Sequence, residues 1–244
     1  MLPYSLAPLS DALTGMKAPA GTFDSNGEWE HSYIMWNPAR AVKNAESARA
    51  GNLRIRKRLT PDGKIRLQVA QIIQMQGVNG SGKTKATVTC AKDELCTPMT
   101  WKIDSEIISP AGKQVHLTAT GVTGEADKGN VLLHAEKDMR IKASERLSSN
   151  WSLFEAVQRL PFDAGELRFD MLEELELLKP EHRLFPGAGA EVEIGGRMVR
   201  LHSFEQLGRG ILPMTYWLDD QHRLIVAVNQ RRAYLFDLGM GGAK

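Results

Sequence analysis

Residues 52 to 69 alternate in polarity on both sides of a tight turn, and few folds accept that pattern. Leu53, Ile55 and Leu59 stand against Arg54, Arg56 and Arg58. Past the turn, Ile65, Leu67 and Val69 again share one parity. Successive side chains of a strand point to opposite faces, so alternation with period two marks a strand with one buried face. Between the runs lies Thr60-Pro61-Asp62-Gly63. Proline pre-sets the backbone at the start of such a turn, and glycine supplies a positive φ at no steric cost. The segment is predicted as a β-hairpin.

The same grammar continues along the chain. Residues 83–90 alternate, with Ala86, Val88 and Cys90 against Lys85, Thr87 and Thr89. Residues 99–108 read as a strand, and Pro110, Ala111 and Gly112 turn the chain into 114–120. Further strands are expected at 130–134, 139–143, 191–194, 198–206, 214–218, 223–228 and 232–238. Turn signals about every 10 residues fit an antiparallel sandwich or barrel. The middle differs. Residues 149–161 read as a short helix capped by Ser149 or Asn150 and ended by Pro161, and a second helix is predicted over 171–178, with Asp170 as N-cap and Glu173 three positions on. Residues 1–28 are rich in Pro, Gly, Ala and Ser and are expected to form a loosely ordered arm with a short helix over 6–13. Residues 29–244 are expected to form a single antiparallel β-rich domain.

Composition excludes some classes and leaves others open. A net charge of +2 over 244 residues gives no global pull toward nucleic acid or membrane. No run approaches the roughly 18 apolar residues of a membrane-spanning helix. The first residues lack a basic stretch, and Asp11 interrupts their weak apolar run, so they do not read as a signal peptide. The chain is either cytoplasmic or an extracytoplasmic protein whose leader has been removed. Cys90 and Cys96, five residues apart, are either two reduced thiols or a local disulfide that would mark an oxidising compartment. Two cysteines cannot complete a zinc site. The six histidines are scattered, and no metal or other cofactor is expected.

One string carries a motif. Residues 77–84 match G-x-x-x-x-G-K-[ST], with Gly77, Gly82, Lys83 and Thr84 at the fixed positions. In a phosphate-binding loop the amides cradle phosphates, the lysine reaches the terminal ones and the hydroxyl binds magnesium. That chemistry needs a helix to open at the lysine. Residues 85–90 are β-branched and alternating, so a glycine-rich hairpin loop is the expectation and a nucleotide-binding protein the alternative. Arg54, Arg56, Arg58, Lys64 and Arg66 make a basic stripe that reads as a solvated outer face, because no aromatics are interleaved for base stacking. No Ser/His/Asp set stands out. A hydrolase on a β scaffold is a further alternative that rests on fold class alone.

The stretch from Tyr216 through Trp217-Leu218-Asp219 and Arg223-Leu224 to Val228 resembles the closing hairpin of bacterial secreted half-barrel proteins, the lipoprotein-carrier-like group and related domains of unknown function. The resemblance covers about 20 residues and carries over no functional residue. It implies a mainly β fold: a curved antiparallel sheet, half-barrel or lipocalin-like, with one or two short helices inserted near residues 150–180. It also implies an extracytoplasmic, non-enzymatic protein that binds an apolar ligand or a protein partner. Its concave face would then be plugged by the helix at 150–160. Trp101, Trp151, Phe154, Phe169, Phe204 and Trp217 would line it and hold an apolar small molecule or lipid, or simply form the core.

Overall fold

A computed structural model of the protein describes residues 2–38, 49–75, 80–108 and 118–238. The first half of the chain is a meander of long strands: β1 (Trp29–Trp36), β2 (Arg49–Leu59), β3 (Ile65–Met75), β4 (Gly80–Cys90), β5 (Pro98–Ile108), β6 (Thr118–Asp127), β7 (Asn130–His134) and β8 (Asp138–Lys142). Each pairs antiparallel with the next. The predicted hairpin at 52–69 is therefore present, with Leu59 opposite Ile65 across the Pro-Asp-Gly turn. Gly63 takes the positive φ of 77° that the turn demands.

The second half adds β9 (Leu147–Ser149), β10 (Leu167–Glu173), β11 (Leu177–Pro186), β12 (Ala190–Ile194), β13 (Arg197–Leu207), β14 (Met214–Asp219), β15 (Leu224–Val228) and β16 (Ala233–Phe236). Helix α1 (Ser10–Gly15) precedes all strands, and helix α2 (Asn150–Arg159) lies between β9 and β10. The described strands form one curved 16-stranded sheet, in the order β8-β7-β6-β5-β4-β3-β2-β1-β16-β15-β14-β13-β11-β10-β9, with β12 beside β13. The pairing of β1 with β16 joins the two halves in the middle, placing Tyr33 opposite Phe236 and Met35 opposite Tyr234. The fold is mainly β, as the alternation implies.

Helix α2 fills the inner side of this curve. The Ser149 hydroxyl caps it by accepting from the Ser152 amide at 3.0 Å, and Pro161 ends it. Eight of its ten residues are buried, against β9, β10 and β15. Beyond its end, Phe162 is stacked between the His202 and His222 rings at 3.8 and 3.9 Å.

Two expectations change. Residues 171–178 form no helix: they close the β10–β11 hairpin, with Glu174 and Leu175 at positive φ in its turn. Asp170 caps nothing helical; its carboxylate accepts from the Ser144 and Glu181 amides. Helix formers such as Glu and Leu yield here because strand pairing and burial of Met171, Leu172 and Leu175 outweigh a propensity of a few tenths of a kcal/mol per residue. Residues 2–28 are also more than an arm. Leu6, Leu9 and Leu13 are buried in the core, the Trp217 indole donates to the Ser5 hydroxyl at 3.3 Å, and the Arg223 guanidinium donates to the Ala20 and Gly21 carbonyls. This segment covers the outer face of the closing strands. With α2 on their other face, β15 and β16 are buried throughout, which is why Leu224-Ile225-Val226-Ala227-Val228 is a continuous apolar run instead of an alternating one.

Candidate ligand cleft beside the inner helix

Four non-adjacent pieces of chain meet where α2 begins. They are the first turn of α2 (Asn150, Phe154), the β10–β11 hairpin (Met171, Glu173, Glu174, Lys179), the β13–β14 connection (Gln206 to Tyr216) and the β15–β16 turn (Asn229 to Tyr234). Between them is a cleft of about 250 Å³. Its apolar wall is Phe154, Met171, Ile211, Leu212 and Met214. Phe154 is held edge-on against Tyr234 at 5.1 Å, Tyr33 at 5.3 Å and Tyr216 at 6.1 Å. Such edge-to-face contacts fix ring orientation beyond what burial alone does.

The polar side of the cleft is organised by buried hydrogen bonds. The Tyr216 hydroxyl donates to Gln206 Oε1 at 2.8 Å, and Gln206 Nε2 donates to His182 Nδ1 at 3.0 Å. That direction leaves His182 as the tautomer protonated on Nε2. A side chain at position 208 would meet the His182 ring, so Gly208 is what lets the ring lie there. Burial pushes the Tyr216 phenol well above its ordinary range, raises that of Tyr234 and pulls His182 below its own. Both phenols therefore stay protonated near neutral pH; Tyr216 uses its proton on Gln206. On the rim, Lys179 pairs with Glu173 at 2.6 Å, and the Asn150 amide oxygen accepts from the Glu174 backbone at 2.8 Å. Arg232 differs: its guanidinium donates to the neutral Tyr234 hydroxyl, at 3.4 Å.

A second buried polar group sits deeper, along α2. Lys57 and Glu155 are both 0% exposed and pair at 2.9 Å. Lys57 also donates to the Ser25 carbonyl at 2.7 Å, and Arg159 pairs with Glu155 and donates to the Asp93 carbonyl. Sequence reasoning does not single out Lys57, although a signal is present. It has the same parity as Leu53 and Ile55 in β2, so it points to the apolar face. Cys90 and Cys96 lie close by as buried free thiols, with no disulfide between them. The Cys96 thiol is pushed up by burial and by its hydrogen bond with Cys90.

The six aromatic residues expected as a lining are all buried, but they do not share one hollow. Phe154 alone of the six reaches the cleft. Trp101 lies over Gly124 on the neighbouring strand, Trp151 points to Gln71, Phe169 packs beside His182, and Trp217 faces the N-terminal segment. With Phe204 they form the core. A larger hollow of about 450 Å³ between Tyr4, Pro8, Pro38, Pro213 and Val228 has no charged side chain on its wall.

The nucleotide motif finds no site. Gly82, Lys83 and Thr84 are interior residues of β4, paired with Ile73, Ile72 and Gln71 on β3 and with Ile107, Glu106 and Ser105 on β5. Their amides serve the ladder and no helix opens there; Gly77 lies outside the described residues. Arg54 and Arg56 share Glu30, Arg58 pairs with Glu28 and Lys64 with Asp62, all on an exposed face. No group of three metal-binding side chains occurs among the described residues, and no described helix is long and apolar enough to cross a membrane.

No family model matches the chain, and no curated protein matches it in sequence. In structure it is similar to the β-barrel-like protein of the domain of unknown function DUF1849 from Brucella abortus. The TM-score is 0.53 at 6% identity, over 86% of this chain and 95% of that chain. The fold is β-barrel-like. At that identity the likeness extends to the fold alone, in keeping with the half-barrel group of unknown function that residues 216–228 resemble.

Proposed function

We propose that this protein is a non-enzymatic, extracytoplasmic β protein that binds a small amphiphilic molecule in the cleft beside α2. The observation that carries the reading is the two-sided wall: Phe154, Met171, Ile211, Leu212 and Met214 on one side, and Tyr234, Arg232 and Asn150 on the other. A mostly apolar concavity with a few fixed polar groups is the usual form of a ligand site. Its volume of about 250 Å³ suits a ligand smaller than a typical drug. The hydrogen bonds from Tyr216 to Gln206 and from Gln206 to His182 hold the polar side of the cleft in place, which supports binding. The resemblance of residues 216–228 supports the compartment.

Titration of isotope-labelled protein with n-octanol, followed by amide chemical shifts, tests the site. Shifts are expected to cluster at 150–154, 171–174, 206–216 and 229–234. Shifts scattered over the surface, or none at millimolar probe, would end the cleft reading. A fusion of the native gene to alkaline phosphatase, active only outside the cytoplasm, tests the compartment; an inactive fusion counts against it.

A further inference from the structure

We infer that the cleft selects an amphiphile with an anionic head, a carboxylate, held by the Arg232 guanidinium and the Tyr234 hydroxyl. The inference rests on the reading of the cleft as a ligand site and adds the chemistry of the ligand's head.

The Arg232 side chain lines the cleft, half-buried at the β15–β16 turn, where its own amide donates to Asn229 Oδ1 at 2.8 Å. A guanidinium has five N–H donors in a planar fork. One is used on the Tyr234 oxygen at 3.4 Å, and no carboxylate of the described residues lies within 4.0 Å. Of the two other cations lining the cleft, Arg231 is exposed to solvent, and Lys179 is already matched by Glu173 at 2.6 Å and by the Gly210 carbonyl at 2.8 Å. The charges of Glu174 and Glu173 act on Arg232 from the rim, but neither carboxylate is within pairing distance, so its fork keeps N–H donors that an anion can reach.

The neighbouring groups complete the slot. Tyr234 accepts from Arg232, so its own O–H remains free to donate, and burial keeps it protonated. Guanidinium and phenol together offer two convergent donors at one end of the cleft. Phe154 packs edge-on to the Tyr234 ring and leads to Met171 and Leu212, which would receive an apolar tail. The Tyr216 hydroxyl is spent on Gln206 and does not compete for the head. A planar carboxylate matches the fork geometry. The Glu173 and Glu174 carboxylates on the rim disfavour a ligand whose charge lies anywhere but against Arg232.

The test compares octanoate with n-octanol by calorimetry on the whole chain, using wild type, Arg232→Gln and Arg232→Lys. A charge-assisted hydrogen bond makes octanoate bind about tenfold tighter than n-octanol to wild type. Arg232→Gln is expected to abolish the preference for octanoate over n-octanol, and Arg232→Lys to restore part of it. An unchanged melting temperature and far-ultraviolet circular dichroism spectrum show that each variant is folded. Octanoate binding no tighter than n-octanol, or a preference that survives in Arg232→Gln, overturns the inference and leaves the cleft reading standing. Failure of both probes to bind wild type removes the cleft reading itself.

Discussion

His31 shows how much one inward position can decide. It is buried in β1 among Trp29, Phe23, Tyr33 and Phe236, with the Arg223 guanidinium nearby. Burial first, and the Arg223 charge second, pull its pKa from 6.5 to about 3. The unfolded chain therefore takes up a proton that the folded chain refuses. Stability from this residue is complete above about pH 6.5 and is lost as pH falls toward 3. A tenfold difference in proton affinity between the two states is worth about 1.4 kcal/mol, so roughly 2–3 kcal/mol should disappear between about pH 7 and about pH 4.5. Urea unfolding at the two pH values measures this. The variant His31→Phe, which keeps an aromatic ring and has no proton to gain, is expected to flatten the difference. An equal loss in both proteins would place the acid sensitivity elsewhere.

Helix α2 carries the charged group that the inner face of β2 meets. Both members of the Lys57–Glu155 pair are fully buried, so neither can turn to water if its partner is removed. Lys57→Met should destabilise by about 1–3 kcal/mol, because buried Glu155 loses one of its two cations and keeps Arg159. Adding Glu155→Gln should recover at least half of that, since Arg159 at the helix end still reaches the Asp93 carbonyl. A double-mutant cycle by chemical denaturation reads the coupling; additive losses would mean the pair is not coupled. Among the elements, the hairpin at 52–69 and the helix from Ser149 to Pro161 are legible in the sequence because their signals are local: alternation, turn chemistry, a cap and a stop. The segment Met171-Leu172-Glu173-Glu174-Leu175-Glu176-Leu177-Leu178 misleads because its local preference is helical, while its strand partners are β9 and the following β11. The cleft is not legible at all. Phe154, Met171, Tyr216 and Arg232 are far apart in sequence, and only the sheet order brings them together. Lys57 can be found by its parity, and Arg232 has no such mark.

The chain ends do more than finish the fold. Because β1 pairs with β16, the first and last strands are the seam between the two halves of the sheet, and Tyr234 of the cleft belongs to that seam. The closing strands are apolar on both faces, so the seam needs a cover outside as well as α2 inside. Residues 5–16 supply it through Leu6, Leu9 and Leu13, with Ser5 on Trp217 and the Leu13 carbonyl accepting from Gly195. Burying three leucines is worth about 1.5–3 kcal/mol each as an upper estimate, a sum comparable with the whole stability of a domain. Deleting residues 2–16 is therefore expected to expose Trp217 and Leu235, lower the melting temperature by at least about 10 °C and raise anilinonaphthalene sulfonate fluorescence. It should also weaken n-octanol binding, although none of the deleted residues lines the cleft, because Tyr216 and Tyr234 sit on the strands that lose their cover. If the deletion leaves melting and probe binding unchanged, the N-terminal segment is the loose arm that its composition implies, and the seam holds without it.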